Sequence, residues 1–299
     1  MVVSIIIPTY NRSYLLSSLI DSLVRMESPT DDYEILVIDN NSSDETKKVI
    51  EEKIDKYAFN IRYFFERKPG LHNARHRGAK EAKGKILCYL DDDVTVEKYW
   101  LVGIVETFKN TDAVLVGGRV LPNYEITPSS WINKFWTTID DSRFLGILSL
   151  FDGGNDIKEL DPSFICGCNF SIKKEVLFEC KGFNPDSMPW ELIKYRGDGE
   201  TGLSIKIKEK GYKSYYNPKI CVYHFIPKER LTVEYFCQRM FMQGISDSFT
   251  EIRRSKGIKD PIMIRVRDAY EKGKIFHHEE VLNDPELLAR VLKDNFMNE

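Results

Sequence analysis

Asp91-Asp92-Asp93 follows directly on the apolar run Ile86-Leu87-Cys88-Tyr89-Leu90, so a strand-length segment delivers three carboxylates to a sheet edge. A new helical pattern begins at Glu97, which puts the acids on a strand-to-helix turn. In an open α/β sheet that turn lies at the carboxyl end of the strand, where ligands bind. Alternate acids of an extended segment point to one side, so Asp91 and Asp93 are expected to face one divalent cation while Asp92 faces elsewhere. Hard oxygen ligands suit magnesium or manganese, with waters and substrate phosphates completing the shell. A single Asp at this point would be read as a partner of the helix dipole. Three adjacent carboxylates repel one another, and a cation is the simplest compensation.

A second acidic stretch, Arg196-Gly197-Asp198-Gly199-Glu200-Thr201-Gly202-Leu203, opens a helix that ends at Lys208, Lys210 and Gly211. The dipole alone accounts for acids at the start and bases at the end. A carboxylate kept ionised at a helix N-terminus is also a fitting general base for an attacking alcohol, and Asp198 and Glu200 both qualify.

The elements that must position these residues repeat in a strand-loop-helix cycle. Val2 to Ile7 is a β-branched run ending in Pro8-Thr9-Tyr10-Asn11-Arg12, and Ser13 is expected to cap a helix in which Leu15, Leu16, Leu19, Ile20, Leu23 and Val24 recur. Tyr33 to Ile38, then Asp39-Asn40-Asn41-Ser42-Ser43-Asp44, then a helix with Val49, Ile50 and Ile54 form a second cycle, and Ile61 to Phe65 opens a third that passes Arg67-Lys68-Pro69-Gly70. Such alternation predicts a mostly parallel sheet with helices on both faces. If the polar loops share an edge, they can meet a nucleoside diphosphate. Tyr10 packs on base or ribose, Asp39 accepts a ring N–H, Arg67 and Arg75 neutralise phosphates, and the cation bridges them. Taken singly, each has a plainer role: Tyr10 in loop packing, Asp39 in a turn, Arg75 as a solvated helix charge.

The totals exclude several classes. A formal net charge of -3 over 299 residues, without a basic stripe, gives no footprint for nucleic acid. No GxGxxG or GxxxxGK[ST] occurs, so hydride transfer and P-loop ATP hydrolysis lose support. The six cysteines are scattered, with no CxxC pair, and are expected as buried thiols. The opening apolar run is short for a signal peptide and no later run is of membrane-spanning length, so a cytoplasmic protein is expected.

Ser4 to Arg12, Val37 to Asp44, Gly70 to Gly78 with Ala74-Arg75, and Leu90-Asp91-Asp92-Asp93, in that order and spacing, resemble the family 2 glycosyltransferases over roughly the first two-thirds of the chain. The resemblance implies an inverting enzyme of the GT-A fold with a nucleotide-sugar donor, usually of uridine diphosphate, and a divalent metal, Mn2+ or Mg2+. Pro8, Thr9, Tyr10, Arg12, Asp39, Arg67, Gly70, Arg75, Asp91 and Asp92 would bind the donor, and Asp91, Asp93 and His224 the metal. Counting back from Gly211-Tyr212, Glu200 aligns with the family's base, with Asp198 as the alternative. Gly167, Asn169 and Trp190 would meet the acceptor, a glycan, a lipid-linked sugar or another hydroxyl, and Gly167 would leave room for the sugar. Three positions depart from the family pattern: Asn40 and Gly199 stand where an acid is usual, and His76 where an Asn is.

The expected organisation is a GT-A domain over residues 1–230, with a nucleotide-sugar half to 120 and an acceptor half from 121, followed by a helical extension over 231–299. The aromatics between Pro122 and Asp161 (Trp131, Phe135, Trp136, Phe144, Phe151) either line the acceptor side or cover a sheet edge. The late stripe Leu287-Leu288, Val291-Leu292 is expected to dock on the main domain, with a partner helix or an anionic membrane surface as alternatives. Two other functions share parts of this pattern. A sugar-phosphate nucleotidyltransferase wants a glycine-rich first loop, which Pro8-Thr9-Tyr10-Asn11 is not, and a non-catalytic nucleotide-sugar or glycan-binding domain would tolerate Asn40, His76 and Gly199.

Overall fold

The structure is a computed structural model and describes residues 3–30, 32–57, 60–258 and 260–292. Val2, at the head of the first expected strand, and 293–299, the end of the expected extension, lie outside the described residues. The three anticipated cycles are β1 (Val3–Thr9), α1 (Ser13–Arg25), β2 (Tyr33–Asp39), α2 (Thr46–Lys56), β3 (Ile61–Phe65), α3 (Leu71–Glu81) and β4 (Ile86–Leu90). β1 pairs in parallel with both β2 and β4, and β2 with β3, so their carboxyl ends share one edge. β1 is buried along its whole length, which is why it reads as an unbroken apolar run. Its side chains alternate between two cores. Ile5 and Ile7 join Leu16, Leu19 and Leu23 of α1, while Ile6 joins Ala74 and Ala79 of α3. Ser13 does not cap α1: its own N–H donates to the Asp44 carboxylate at 3.1 Å, so the cap comes from the next loop.

The chain continues through β5 (Val94–Val96), α4 (Trp100–Asn110), β6 (Leu115–Gly117), β7 (Val120–Tyr124), β8 (Thr137–Ile139), β9 (Ser142–Leu145), β10 (Leu150–Asp152), β11 (Lys158–Glu159), β12 (Asn169–Lys173), α5 (Lys174–Glu179), α6 (Gly199–Glu209), β13 (Ser214–Tyr216), β14 (Val222–Ile226) and α7 (Val233–Ser255). The main sheet runs β11-β13-β6-β12-β4-β1-β2-β3. It is mixed rather than mostly parallel beyond β4, because β12 enters antiparallel to both β4 and β6. That reversal sets the start of β12, Asn169, opposite Leu90, and so brings Gly167 to the edge that carries the acids.

A second sheet, β5-β14-β7-β10-β9-β8, was not anticipated. Its strands are short, and three residues of alternation leave no readable period. The aromatics of 122–161 cover its packing surfaces. Trp131 and Phe135 each lie 4.9 Å from the Phe236 ring, and Phe144 lies 5.3 Å from Phe164. The expected helix from Trp100 and the strands around Asn217-Pro218 are present, but the single strand expected over Ala113–Val120 is broken between β6 and β7.

The chain divides into two compact units after Phe249, inside α7. The unit from Thr250 contains α8 (Pro261–Asn283) and α9 (Pro285–Val291), each begun by a capping Asp and a Pro. Leu288, Val291 and Leu292 of that unit are exposed. No described helix is long and apolar enough to cross a membrane.

Candidate active site

Four carboxylates and three guanidiniums converge where β1, β2 and β4 end. Arg75 of α3 is at the centre, 2 % exposed, with Nη2 3.2 Å from the Asp91 carboxylate and Nη1 3.2 Å from the Glu200 carboxylate. The same Nη2 donates to the carbonyl of Gly167 at 3.2 Å. An acid of the β4 turn and an acid of the first turn of α6 are therefore joined by one buried cation. Arg75 is not the solvated helix charge that its sequence position would ordinarily suggest.

Gly167 is what permits this. A Cβ at 167 would sit 2.6 Å from Glu200 Oε1 and 2.7 Å from Arg75 Nη2, so the space expected for sugar is filled by the bridge itself. Burial works against the charge of Glu200. Arg75 and the backbone N–H at Glu200 outweigh it and hold the carboxyl below its ordinary value. About a third of the side chain stays exposed, so the ionised oxygen remains open to an incoming group. Asp198 precedes the first turn of α6. It is buried and accepts a 2.6 Å hydrogen bond from Asn184 Nδ2.

At the other end of the triplet, Asp92 and Asp93 are 4 % and 5 % exposed. Asp92 accepts from Thr9 Oγ1 at 2.8 Å and from Arg12 Nη1 at 3.0 Å. The expectation that Asp92 contacts the donor is corrected, because its oxygens are spent fixing β1 to the β4 turn. Burial and the neighbouring Asp93 raise its carboxyl above the ordinary value. One oxygen of Asp93, Oδ2, is contacted by Arg12 Nη1 and by Arg230 Nη2, each at 3.0 Å. Burial alone would raise Asp93, but the positive charge around it, that of Arg12 and Arg230 included, brings it below the carboxylate range. Part of the compensation that three adjacent acids require comes from Arg12, Arg75 and Arg230.

The residues nevertheless fit a divalent cation. Asp93 Oδ1 is buried without a hydrogen-bond donor. His224 Nε2 lies 3.4 Å from it. The other nitrogen, Nδ1, is 3.0 Å from the Leu148 carbonyl, which only accepts, so Nδ1 carries the proton and Nε2 presents a lone pair. Carboxylate oxygen and imidazole nitrogen thus face each other with no proton donated between them, a donor pair suited to Mn2+ or Mg2+. Among the described residues no group of three His, Cys, Asp or Glu side chains stands at metal-ligand spacing, and Asp91 is engaged by Arg75 instead.

The remaining expected residues are distributed around this centre. Thr9 pairs with Asp39 across β1 and β2, and Asp39 accepts from Ser42 N–H and Tyr63 O–H, both at 2.8 Å. Pro8 lies within β1, one residue short of that edge. Tyr10 and Arg67 are exposed on the flanking loops, and Gly70, with φ +111°, begins α3. Asn40 donates to the carbonyls of Glu66 and Lys68, a task an Asp could not perform. His76 accepts from Phe183 N–H and is lowered to about 4 by burial. Trp190 is exposed, 6.4 Å from Phe241 of α7. Asn169 is corrected: fully buried, it accepts from Trp100 Nε1 and donates to the carbonyls of Arg119 and Ile220, leaving nothing for a substrate.

Two residues of the centre were not anticipated. Arg230 has no motif around it and is found only through His224, six residues earlier. Asp186 lies against Gly199, where a Cβ would meet Asp186 Oδ2 at 2.7 Å, so an acid from the 184–189 loop fills the space next to Glu200. It is paired with Arg196 at 2.8 Å. Burial and then Glu200 raise its carboxyl. The signal was Gly199 itself, since a missing acid invites a replacement from elsewhere.

This sheet, with an acid-lined edge at its strand ends, is that of the GT-A glycosyltransferases. A mannosyltransferase from Pyrobaculum calidifontis, solved with GDP-Man and Mn2+, superposes with a TM-score of 0.60 over 87 % of this chain and 65 % of its own, at 19 % identity. TarS of S. aureus, solved with UDP-GlcNAc, gives 0.51 over 76 % and 59 %, at 17 % identity. Residues 4–179 match the glycosyl transferase family 2 profile, and the chain belongs to that family of sugar-transferring enzymes. It is 34 % identical over 119 residues to the glycosyltransferase AglE of Haloferax volcanii, covering 40 % of this chain and 39 % of the relative. It is 28 % identical over 181 residues to a glucosyl-dolichyl phosphate glucuronosyltransferase of the same organism, covering 59 % and 54 %. The chain thus spans between two fifths and just over half the length of these relatives.

Proposed function

We propose that the chain transfers a sugar, with inversion, from a nucleoside diphosphate donor to an acceptor hydroxyl in polysaccharide or glycolipid synthesis. The observation that carries this reading is Arg75 spanning Asp91 and Glu200, which puts an ionised carboxylate beside the acid-lined strand edge. The acceptor oxygen bonds to the anomeric carbon as that carbon's bond to the diphosphate breaks, and the hydroxyl proton goes to Glu200. Arg75 keeps Glu200 charged and fixed, so the base is ready without rearrangement. Asp39 and the exposed Tyr10 ring hold the nucleoside, Arg67 lies on the phosphate side, and Asp91 faces the ribose. A divalent cation held by Asp93 and His224 would stabilise charge on the departing diphosphate. Mn2+ in the mannosyltransferase neighbour supports this metal requirement, and the UDP-GlcNAc complex of TarS supports a uridine donor.

A lipid-linked acceptor is the preferred class, in keeping with the dolichyl phosphate named for the H. volcanii relative. A cytoplasmic setting with peripheral membrane contact suits such a pair of substrates. The decisive experiment is a thermal-shift screen of uridine, guanosine and thymidine diphosphate sugars with and without Mn2+, followed by nucleoside diphosphate release from the donor that binds. Stabilisation by a Mn2+-nucleotide with release in the wild type but not in Glu200→Gln supports the reading. A bound donor that is never turned over, with any acceptor extract, leaves a binding domain instead.

A further inference from the structure

We propose that Arg230 is a ligand of the donor diphosphate which, before the donor arrives, stands in the place of the cation; the inference rests on the cation-dependent reading above. Arg230 lies on the short 3-10 turn Lys228–Leu231 between β14 and α7. Its guanidinium spans the two groups that suit a metal, with Nη1 3.1 Å from His224 Nε2 and Nη2 3.0 Å from Asp93 Oδ2. An imidazole nitrogen has one in-plane lone pair. With Nδ1 committed to the Leu148 carbonyl, the Nε2 lone pair either accepts from Arg230 or binds a cation, and cannot do both. Cation binding therefore releases at least one arm of Arg230.

The released arm has an evident partner. A planar guanidinium beside the cation matches the paired oxygens of a diphosphate, and Arg230 is partly exposed, on a turn in which only Leu231 is buried. Charge favours the same exchange. The four carboxylates of the centre already face three guanidiniums, so a cation alone meets a site that is largely neutralised. A divalent cation and a nucleotide diphosphate neutralise each other, so arriving together they leave the balance as it was. Cation and nucleotide should then bind cooperatively, and Arg230 is the residue through which they are coupled.

Mn2+ binding to the full chain, followed by the electron paramagnetic resonance of the free aquo ion, tests this with and without UDP. Arg230→Gln should bind Mn2+ alone roughly tenfold more tightly than the wild type and UDP with Mn2+ roughly tenfold more weakly. Arg230→Lys keeps the charge but not the two-armed span, so it should also gain Mn2+ affinity while losing less for UDP. Lys228→Gln, an exposed charge on the same turn, should change neither. Equal or weaker Mn2+ binding by both Arg230 variants overturns the role of Arg230 and leaves the cation in place. Mn2+ that binds no form, even with UDP, removes the cation from the proposed function and this inference with it.

Discussion

The two ends of the acid triplet are built differently. Asp91 is held by one guanidinium, that of Arg75, which is almost wholly buried and shared with Glu200. Asp93 is held by Arg12 and Arg230, which are 40 % and 18 % exposed, beside an imidazole lone pair. A buried cation fixed between two acids cannot leave without stranding both, a loss of several kcal/mol. Arg12 and Arg230 keep part of their surface in solvent, so an arm that leaves Asp93 can be hydrated or meet phosphate, provided a cation takes its place on the buried carboxylate. One end is thus made to keep a charge in position, the other to trade cations, and a transfer reaction needs both: a fixed base and a leaving group that must arrive and depart.

Glu200→Gln tests the fixed end most severely. It keeps a hydrogen-bonding side chain against Arg75 but removes the proton acceptor, so turnover should fall on the order of 10³-fold. Affinity for UDP with Mn2+ should stay near the wild-type value in a calorimetric titration. A variant that loses both would mean that the two ends are one structure and do not act separately. Asp93→Asn probes the exchanging end. It should weaken Mn2+-supported UDP binding by about 10²-fold. Its melting temperature should fall as well, because Arg230 loses the charge of a buried partner, while Arg12 keeps its contact with Asp92.

Gly167→Ala is the sharper test of separation, because its Cβ enters only the Asp91 end. At 2.6 Å from Glu200 Oε1 and 2.7 Å from Arg75 Nη2 it must push both aside, and turnover should fall roughly tenfold or more through misplacement of the base. Binding of UDP, which reaches this end only through Asp91, should fall much less than turnover. If UDP binding drops as much as turnover, the strain is spreading across the triplet.

The fixed end was the more legible of the two in the chain. Strand, loop and helix periods from β1 to β4 are long enough to read, and they dictate that Thr9, Asp39 and Asp91 share an edge. Glu200 could be located because the helix it begins has clear ends. What the chain could not disclose was which charges pair. Asp92 was expected at the donor and is instead a strut, Asn169 was expected at the acceptor and is instead buried under Trp100, and Arg230 was not seen at all. Pairing depends on approach between residues tens of positions apart, and the β12 reversal and the second sheet that create it are made of strands too short to announce themselves.

Asp186 should give the smallest effect and the finest discrimination. It lies beside the base rather than in its bridge, anchored by Arg196, with its charge pressing on Glu200. Asp186→Asn weakens the pairing with Arg196 beside Glu200 and should lower kcat/KM about fivefold. The pH profile carries the more telling sign. Glu200 acts only when ionised, so activity is lost as the pH falls through its carboxyl value, which lies below the ordinary 4.5. Asp186 opposes that ionisation, and its neutral replacement should let the Glu200 value fall further, moving the acid limb of kcat/KM to lower pH. A residue that merely braced the loop would change the height of the profile without shifting that limb. Loss of the acid limb altogether in Asp186→Asn would mean that Asp186, not Glu200, carries the titrating proton at this end of the site.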